Sequence, residues 1–248
     1  FDIGVKIAEG AAMMTDTKFT YEVLGSAWPG HFNKPIAEAM YENMKLVGLP
    51  KWSAEDQLLA KATQLELKAP KVEGLAVKLD TLGLPSPTGP VNVMGRQLMA
   101  MGGGSDDIAD ISWSLPTVVL RYPSNIPGLP GHHWSNAISM ATPIAHKGIV
   151  YGAKAEIMTI LDMLLKPEIL KNAWAYYRTE QTKDLQYTPL IGEKDNPAIT
   201  LNKKIMEEYA PKLKPFYYNP VKYKTYLEQL GITYPTVRPD QKEAVEKL

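Results

Sequence analysis

The residues best suited to chemistry crowd into the stretch from Gly102 to Ala153. Asp106, Asp107 and Asp110 follow a glycine run there, and His132, His133 and His146 lie beyond a short apolar segment. Carboxylate oxygens and imidazole nitrogens are the donors left to a chain with no cysteine, because thiolate zinc sites and disulfides are both excluded. Loops bracketing one rigid element can bring such donors to a point, which is what a metal-dependent hydrolase requires.

Each of these residues has its own reading. Gly102-Gly103-Gly104-Ser105 permits backbone conformations closed to other residues and suits a turn that brings amide groups close to a ligand. The aspartates beside it serve equally well as loop caps. His132 and His133 are adjacent, so an extended backbone sends their rings to opposite sides and at most one is a direct ligand. His146 stands just ahead of the apolar run Gly148 to Leu165. Near a helix N-terminus the neutral imidazole is favoured, leaving a lone pair free, although a plain helix cap explains the same position. The fourth histidine, His31, and Asn33 fall in the linker GSAWPGHFNKP, where a histidine is ordinarily solvated.

The elements that would position these groups follow from periodicity. Ile3, Ile7, Ala11 and Met14 recur at helical spacing over residues 1–14. Lys18 to Leu24 alternates as KFTYEVL, the pattern of a strand, and a lone helix and strand imply that further strands lie upstream. Amphipathic helices are expected over Pro35 to Val47 and Ser53 to Leu67, with Ser53 and Asp56 in near-capping-box spacing. Ala69 to Pro90 reads as a surface excursion. Leu115 to Tyr122, with Thr117, Val118, Val119 and Leu120, reads as a buried strand of an α/β sheet. Helices are expected from Gly148 to Leu165 and from Pro167 to about Lys183. Short helices and loops follow over Tyr187 to Tyr234, where Tyr217, Tyr218, Tyr223 and Tyr226 suit packing or an aromatic surface. Lys242 to Leu248 reads as a frayed helical end.

Composition removes several classes of function. The 248 residues carry 27 basic and 27 acidic side chains, a formal charge of zero, and no basic stripe with interleaved aromatics marks a nucleic-acid surface. Lys154, Glu156 and Asp162 interrupt the most apolar run, so a buried helix is expected there in place of a membrane span. There is no nucleotide-binding loop, dinucleotide fingerprint or nucleophile elbow. Phe1 stands where an initiator methionine would be, inside an apparent helix, so a natural N-terminal portion is expected upstream. The compartment is not indicated.

Five motifs occur in order: IAEGAAMMTDTK (residues 7–18), FNKPIAEAMYENMKLVGLPKW (32–52), GSDDIADISWSLPTV (104–118), PGHHW (130–134) and AHKGIVYGAK (145–154). Together they resemble the p-aminobenzoyl-glutamate hydrolase subunits, amidohydrolases of the zinc aminoacylase and carboxypeptidase superfamily. The resemblance runs from Phe1 to about Pro189. It implies an α/β fold: residues 1–31 would end an inserted α/β lid, and residues 32–248 would form the C-terminal part of the catalytic domain with a helical extension. It implies two zinc ions, with manganese or cobalt as substitutes, and cleavage of the amide bond of an N-acyl amino acid such as aminobenzoyl-glutamate. It also implies a homodimer, or a heterodimer with a similar subunit, through the lid. His132 matches the family's C-terminal histidine ligand and is favoured over His133. Asp107, Asp110 and Ser105 match the acidic segment that orients ligands and shapes the pocket, His146 matches the histidine opening the terminal helix, and Asn33 matches an asparagine beside the substrate. The family's general base and most ligands would lie ahead of Phe1, so these residues alone are expected to be inactive. The alternative is a non-catalytic partner subunit or scaffold of the same fold.

Overall fold

The structure is a computed structural model and describes residues 1–78 and 107–248. Every regular element among them is helical: α1 (Asp2–Met14), α2 (Lys34–Val47), α3 (Ala54–Glu66), α4 (Asp107–Ser112), α5 (Trp134–Met140), α6 (Pro143–Leu165), α7 (Pro167–Tyr176), α8 (Lys203–Leu213), α9 (Tyr226–Gln229) and α10 (Pro239–Glu246). A π-helical turn, Tyr177–Gln181, continues α7.

The helices begin where local chemistry can satisfy their free amides. At α2 the Asn33 side chain accepts the Ile36 N–H, and Gly48, at φ 72°, closes the other end; a glycine reaches that conformation without the steric penalty of a Cβ. At α3 the capping box is complete: Ser53 accepts the Asp56 N–H while the Asp56 carboxylate accepts the Ser53 N–H. Two otherwise unpaired donors are thereby satisfied reciprocally. Pro143 opens α6 at the position where its missing N–H costs nothing.

The expected α/β sheet is overturned, since the described residues contain no strand. Lys18 to Leu24 is irregular. Its alternating aromatics find each other instead of a sheet face: Phe19 stacks on Tyr21 with ring centroids 5.6 Å apart, and Phe1 meets Tyr21 edge-on at 5.7 Å. Leu115 to Tyr122 is likewise not a strand. It runs past the small residues of α6, where a Cβ on Gly152 would lie 3.3 Å from the Tyr122 Cβ. Its backbone is linked to the start of α2 by the Asn33 N–H, which donates to the Thr117 carbonyl at 2.8 Å. Alternation and β-branching prepare a chain for a sheet, but a ladder forms only beside a second extended backbone.

Around α6 the molecule is best packed. Ile144, Ala145, Gly148, Gly152, Ala155 and Thr159 make its buried face, and α2, α5 and α7 lie against it. Asn43 of α2 donates to Thr159 Oγ1 at 3.3 Å and to Asp162 Oδ2 at 2.9 Å, locking the two helices in register. A second focus gathers Ala60, Leu75, Ile126 and Ile144 beneath Trp52, Leu59 and Leu129. Each of the buried Ile and Leu side chains there contributes about 2 kcal/mol. By contrast Ile149, Val150, Ile157, Ile160, Leu161, Leu164 and Leu165 of α6 are exposed. No described helix is long and apolar enough to cross a membrane.

Candidate functional site

The groups singled out in the sequence do not meet at one point. Ser105 and the glycine run at Gly102 lie outside the described residues, as does Asp106. Asp107 is the exposed first residue of α4. His132 is exposed and holds φ at 51°, an uncommon conformation for a residue with a Cβ. His133 caps α5 instead: its Nδ1 accepts the Ser135 N–H at 3.4 Å and faces Ser135 Oγ at 2.8 Å. The two neighbouring rings thus have different surroundings. His146 is exposed inside the first turns of α6, which begins at Pro143, so the helix starts earlier than the apolar run alone indicates. Among the described residues no three His, Asp or Glu side chains gather closely enough to hold a metal ion. These residues do not by themselves fit a zinc centre.

What the fold does assemble is a cluster around His31 and Asn33. Asn33 is fully buried, and its amide is oriented by its surroundings. The Oδ1 caps α2, while Nδ2 donates to the Ala173 carbonyl and to Gln181 Oε1, both at 2.9 Å. With its oxygen taken up by Asn33, Gln181 turns its Nε2 toward His31 Nδ1. An amide nitrogen only donates, so Nδ1 must accept, and the imidazole proton resides on Nε2. Burial pushes the His31 pKa below its ordinary value, outweighing the opposing effect of its backbone hydrogen bond, so the ring is held neutral. Among the described residues the buried Nε2 has no partner.

One aromatic ring meets this histidine and two more pack in series behind it. Its ring meets Trp113 edge-on with centroids 4.4 Å apart, Trp28 packs on Trp113 at 5.1 Å, and Tyr187 packs on Trp28 at 5.5 Å. Hydrogen bonds fix each ring: Trp113 Nε1 donates to the Pro29 carbonyl at 2.8 Å, Trp28 Nε1 to the Thr188 carbonyl at 3.0 Å, and Tyr187 OH to Asp110 Oδ1 at 3.0 Å. Asp110 therefore does join the cluster, as the acceptor that orients Tyr187. The Tyr177 hydroxyl donates to the Trp113 carbonyl at 2.5 Å. Beside these rings opens a cleft of about 670 Å³, bounded by Trp113, Tyr177, Thr182, Lys183, Gln186 and Tyr187.

A second polar cluster lies at α3. The Asp56 side chain is fully buried and accepts from the Ser53 N–H at 2.8 Å, from Tyr234 OH at 2.7 Å and from Lys147. Burial alone would raise the Asp56 pKa, but the three donors together hold it below the usual carboxylate range. The Tyr234 phenol is pushed well up, by burial first and by Asp56 second. The Lys147 and Tyr234 contacts tie distant parts of this chain to Asp56.

Sequence reasoning missed Gln181, Trp113 and Tyr187, and it read His31 as a solvated linker residue. The density of Trp and His around the Gly/Pro linker was the available signal, since such rings in a turn must find cover somewhere.

No protein-family model matches this chain, and no solved structure matches it. The chain is similar to a subunit of p-aminobenzoyl-glutamate hydrolase from Escherichia coli (strain K12), with 27% identity over 186 residues, covering 69% of this chain and 38% of that protein. It therefore spans well under half of that relative's length. At this identity the two are distant relatives, and the finding reaches no finer grouping.

Proposed function

We propose that this chain works within a hydrolase that cleaves the amide bond of N-acyl amino acids, p-aminobenzoyl-glutamate being the nearest named example. The observation that carries the reading is the likeness to a p-aminobenzoyl-glutamate hydrolase subunit over 186 residues. In this reading α1 and the residues up to 31 belong to the end of a lid that makes the contact between subunits, and residues 32–248 belong to the catalytic body. Zinc, if bound in the complete enzyme, would supply a water activated at neutral pH. His132 is the donor this chain offers to it, being exposed where the His133 ring is engaged by Ser135. In this reading the general base and the remaining ligands are supplied from outside these residues, and the 248 residues alone are expected not to hydrolyse the substrate.

Two preparations test this reading: the chain alone, and the chain with any residues encoded ahead of Phe1. Release of p-aminobenzoate from p-aminobenzoyl-glutamate is followed by chromatography, and bound zinc by elemental analysis. Activity and zinc in the longer preparation only are the expected result. Absence of both there overturns the proposal, and activity in the short chain overturns the assignment of base and ligands.

A second reading has the chain as a non-catalytic partner subunit. It is favoured by the relative's being one subunit of its enzyme. Co-purification with an active subunit that keeps full activity without this chain's His132 would support it over the first.

A further inference from the structure

We propose that α6 carries a second docking face and that a second copy of this chain covers it, the two α6 helices lying side by side and parallel. The proposal rests on α6 alone and is independent of the hydrolase reading above.

The sequence of α6 repeats with a 3–4 spacing twice over. Ala145, Gly148, Gly152, Ala155 and Thr159 form one row, which is buried against the rest of the molecule. His146, Val150, Ala153, Ile157, Ile160 and Leu164 form a second row of the same spacing, and every one of them is exposed. At about 3.6 residues per turn the two rows lie on opposite sides of the helix. Small residues dominate the buried row, where α2, α5 and α7 lie against α6, and branched aliphatic residues dominate the exposed one. A helix that is apolar all round is one that is buried all round, yet among the described residues nothing covers this second row.

Area and charge select the occupant. The Val, Ile and Leu residues on this side are each 46–77% exposed. Together they leave roughly 800 Å² of apolar surface in solvent, about what one partner contributes to a standard interface and more than the largest apolar patch of an ordinary monomer, about 300–600 Å². A 3–4 repeat of branched aliphatic residues is the seam that a second helix fills, knob into hole. The same helix of a second copy brings a seam of equal length and spacing, and a two-fold pairing buries the row on both copies at once. The margins of the row set the direction. Glu156 lies along one edge and Lys154 along the other, with the Lys154 ammonium 4.8 Å from the Tyr151 ring centroid and clear of the row. Parallel helices bring the Glu156 edge of one copy beside the Lys154 edge of its partner, whereas antiparallel helices set like edge against like.

The test uses the full chain in sedimentation velocity. Expected is a dimer of about 55 kDa, twice the 27.5 kDa of one chain, formed at micromolar concentration. Ile157 and Leu164 are exposed in the single chain, so Ile157→Glu and Leu164→Glu keep the helical circular dichroism and raise the dissociation constant at least a hundredfold. Ile205→Glu, exposed on α8, leaves it within about threefold. The chain has no cysteine, so Ile157→Cys places its single thiol in the row. Mild oxidation links that variant into disulfide-bonded pairs, while Glu207→Cys, exposed on α8, stays unlinked. A chain that remains monomeric at about 100 μM overturns the proposal. So does a dimer that survives both glutamates, since it is held by another surface, and so does equal linking of the two cysteine variants. Amide-exchange protection of residues 149–165 that appears only when residues encoded ahead of Phe1 are included assigns the face to the same polypeptide, and it too overturns the proposal.

Discussion

A histidine's neighbours determine what it can do, and the four here differ accordingly. His133 is spent on capping α5, while His132 keeps its ring in solvent. In the zinc-loaded longer chain His132→Ala should lower zinc affinity at least tenfold and His133→Ala less than threefold, measured by competition with a chelator. Equal effects would remove the distinction between them. His31 is held neutral by burial, and the groups bonded to it or stacked on it, Gln181, Ser112 and Trp113, carry no charge. A histidine whose folded pKa lies below its unfolded value of 6.5 stabilises the fold fully above 6.5. That contribution is lost as pH falls through the folded pKa, because the unfolded chain binds the proton first. Urea midpoints should therefore drop on acidification below 6.5, and the drop should shrink in His31→Phe. Replacing Gln181 by Glu sets a carboxylate at Nδ1, so the His31 pKa should rise, which histidine NMR titration measures directly.

Among the helices, glycine separates two kinds of surface. Gly148 and Gly152 line the face of α6 on which the 115–126 segment lies, and a Cβ at Gly148 would overlap the Pro123 carbonyl oxygen and the Ser124 Cα. Backbone there cannot swing aside as a side-chain tip can, so Gly148→Ala should destabilise by about 2–3 kcal/mol. Gly10 of α1 meets nothing within 4 Å, and Gly10→Ala should stabilise by about 0.5–1 kcal/mol through helix propensity alone. Thermal melts of the pair give the comparison, and a neutral Gly148→Ala would show that the 115–126 segment does not press on α6. The starts of α2 and α3 are the most legible features of the sequence. Asn33 with Pro35, and Ser53 with Asp56, act through hydrogen bonds spanning three residues, and such contacts are written directly in the local spacing.

Across the whole molecule, buried polar groups tie together segments that propensity cannot connect. Asp56 joins α3 to the opening turns of α6 through Lys147 and to the C-terminal segment through Tyr234. Arg238 and Gln241 add contacts to Glu66 at 2.8 and 2.7 Å. Asp56→Ala would strand a half-buried lysine and phenol and should cost about 3–4 kcal/mol, whereas Tyr234→Phe should cost about 1 kcal/mol. Chemical denaturation reads both, and limited proteolysis of the Asp56 variant should cut first near residues 219–238. Equal losses would mean that the ion pair contributes nothing beyond the phenol.

Read alone, the order of amino acids places α2 and α3 to within a residue or so, together with the end of α6 and the start of α7, and gives the charge balance, because helix boundaries and faces depend on contacts within one or two turns. It also makes Lys18 to Leu24 and Leu115 to Tyr122 look like strands, since alternation reports readiness for a sheet and says nothing about a partner. Folding in three dimensions leaves those segments without a ladder, brings Asn33 to Gln181 across 148 residues, and carries Tyr234 to Asp56 across 178. Pairings so distant depend on how whole helices dock, and no local pattern of side chains encodes which face will meet which.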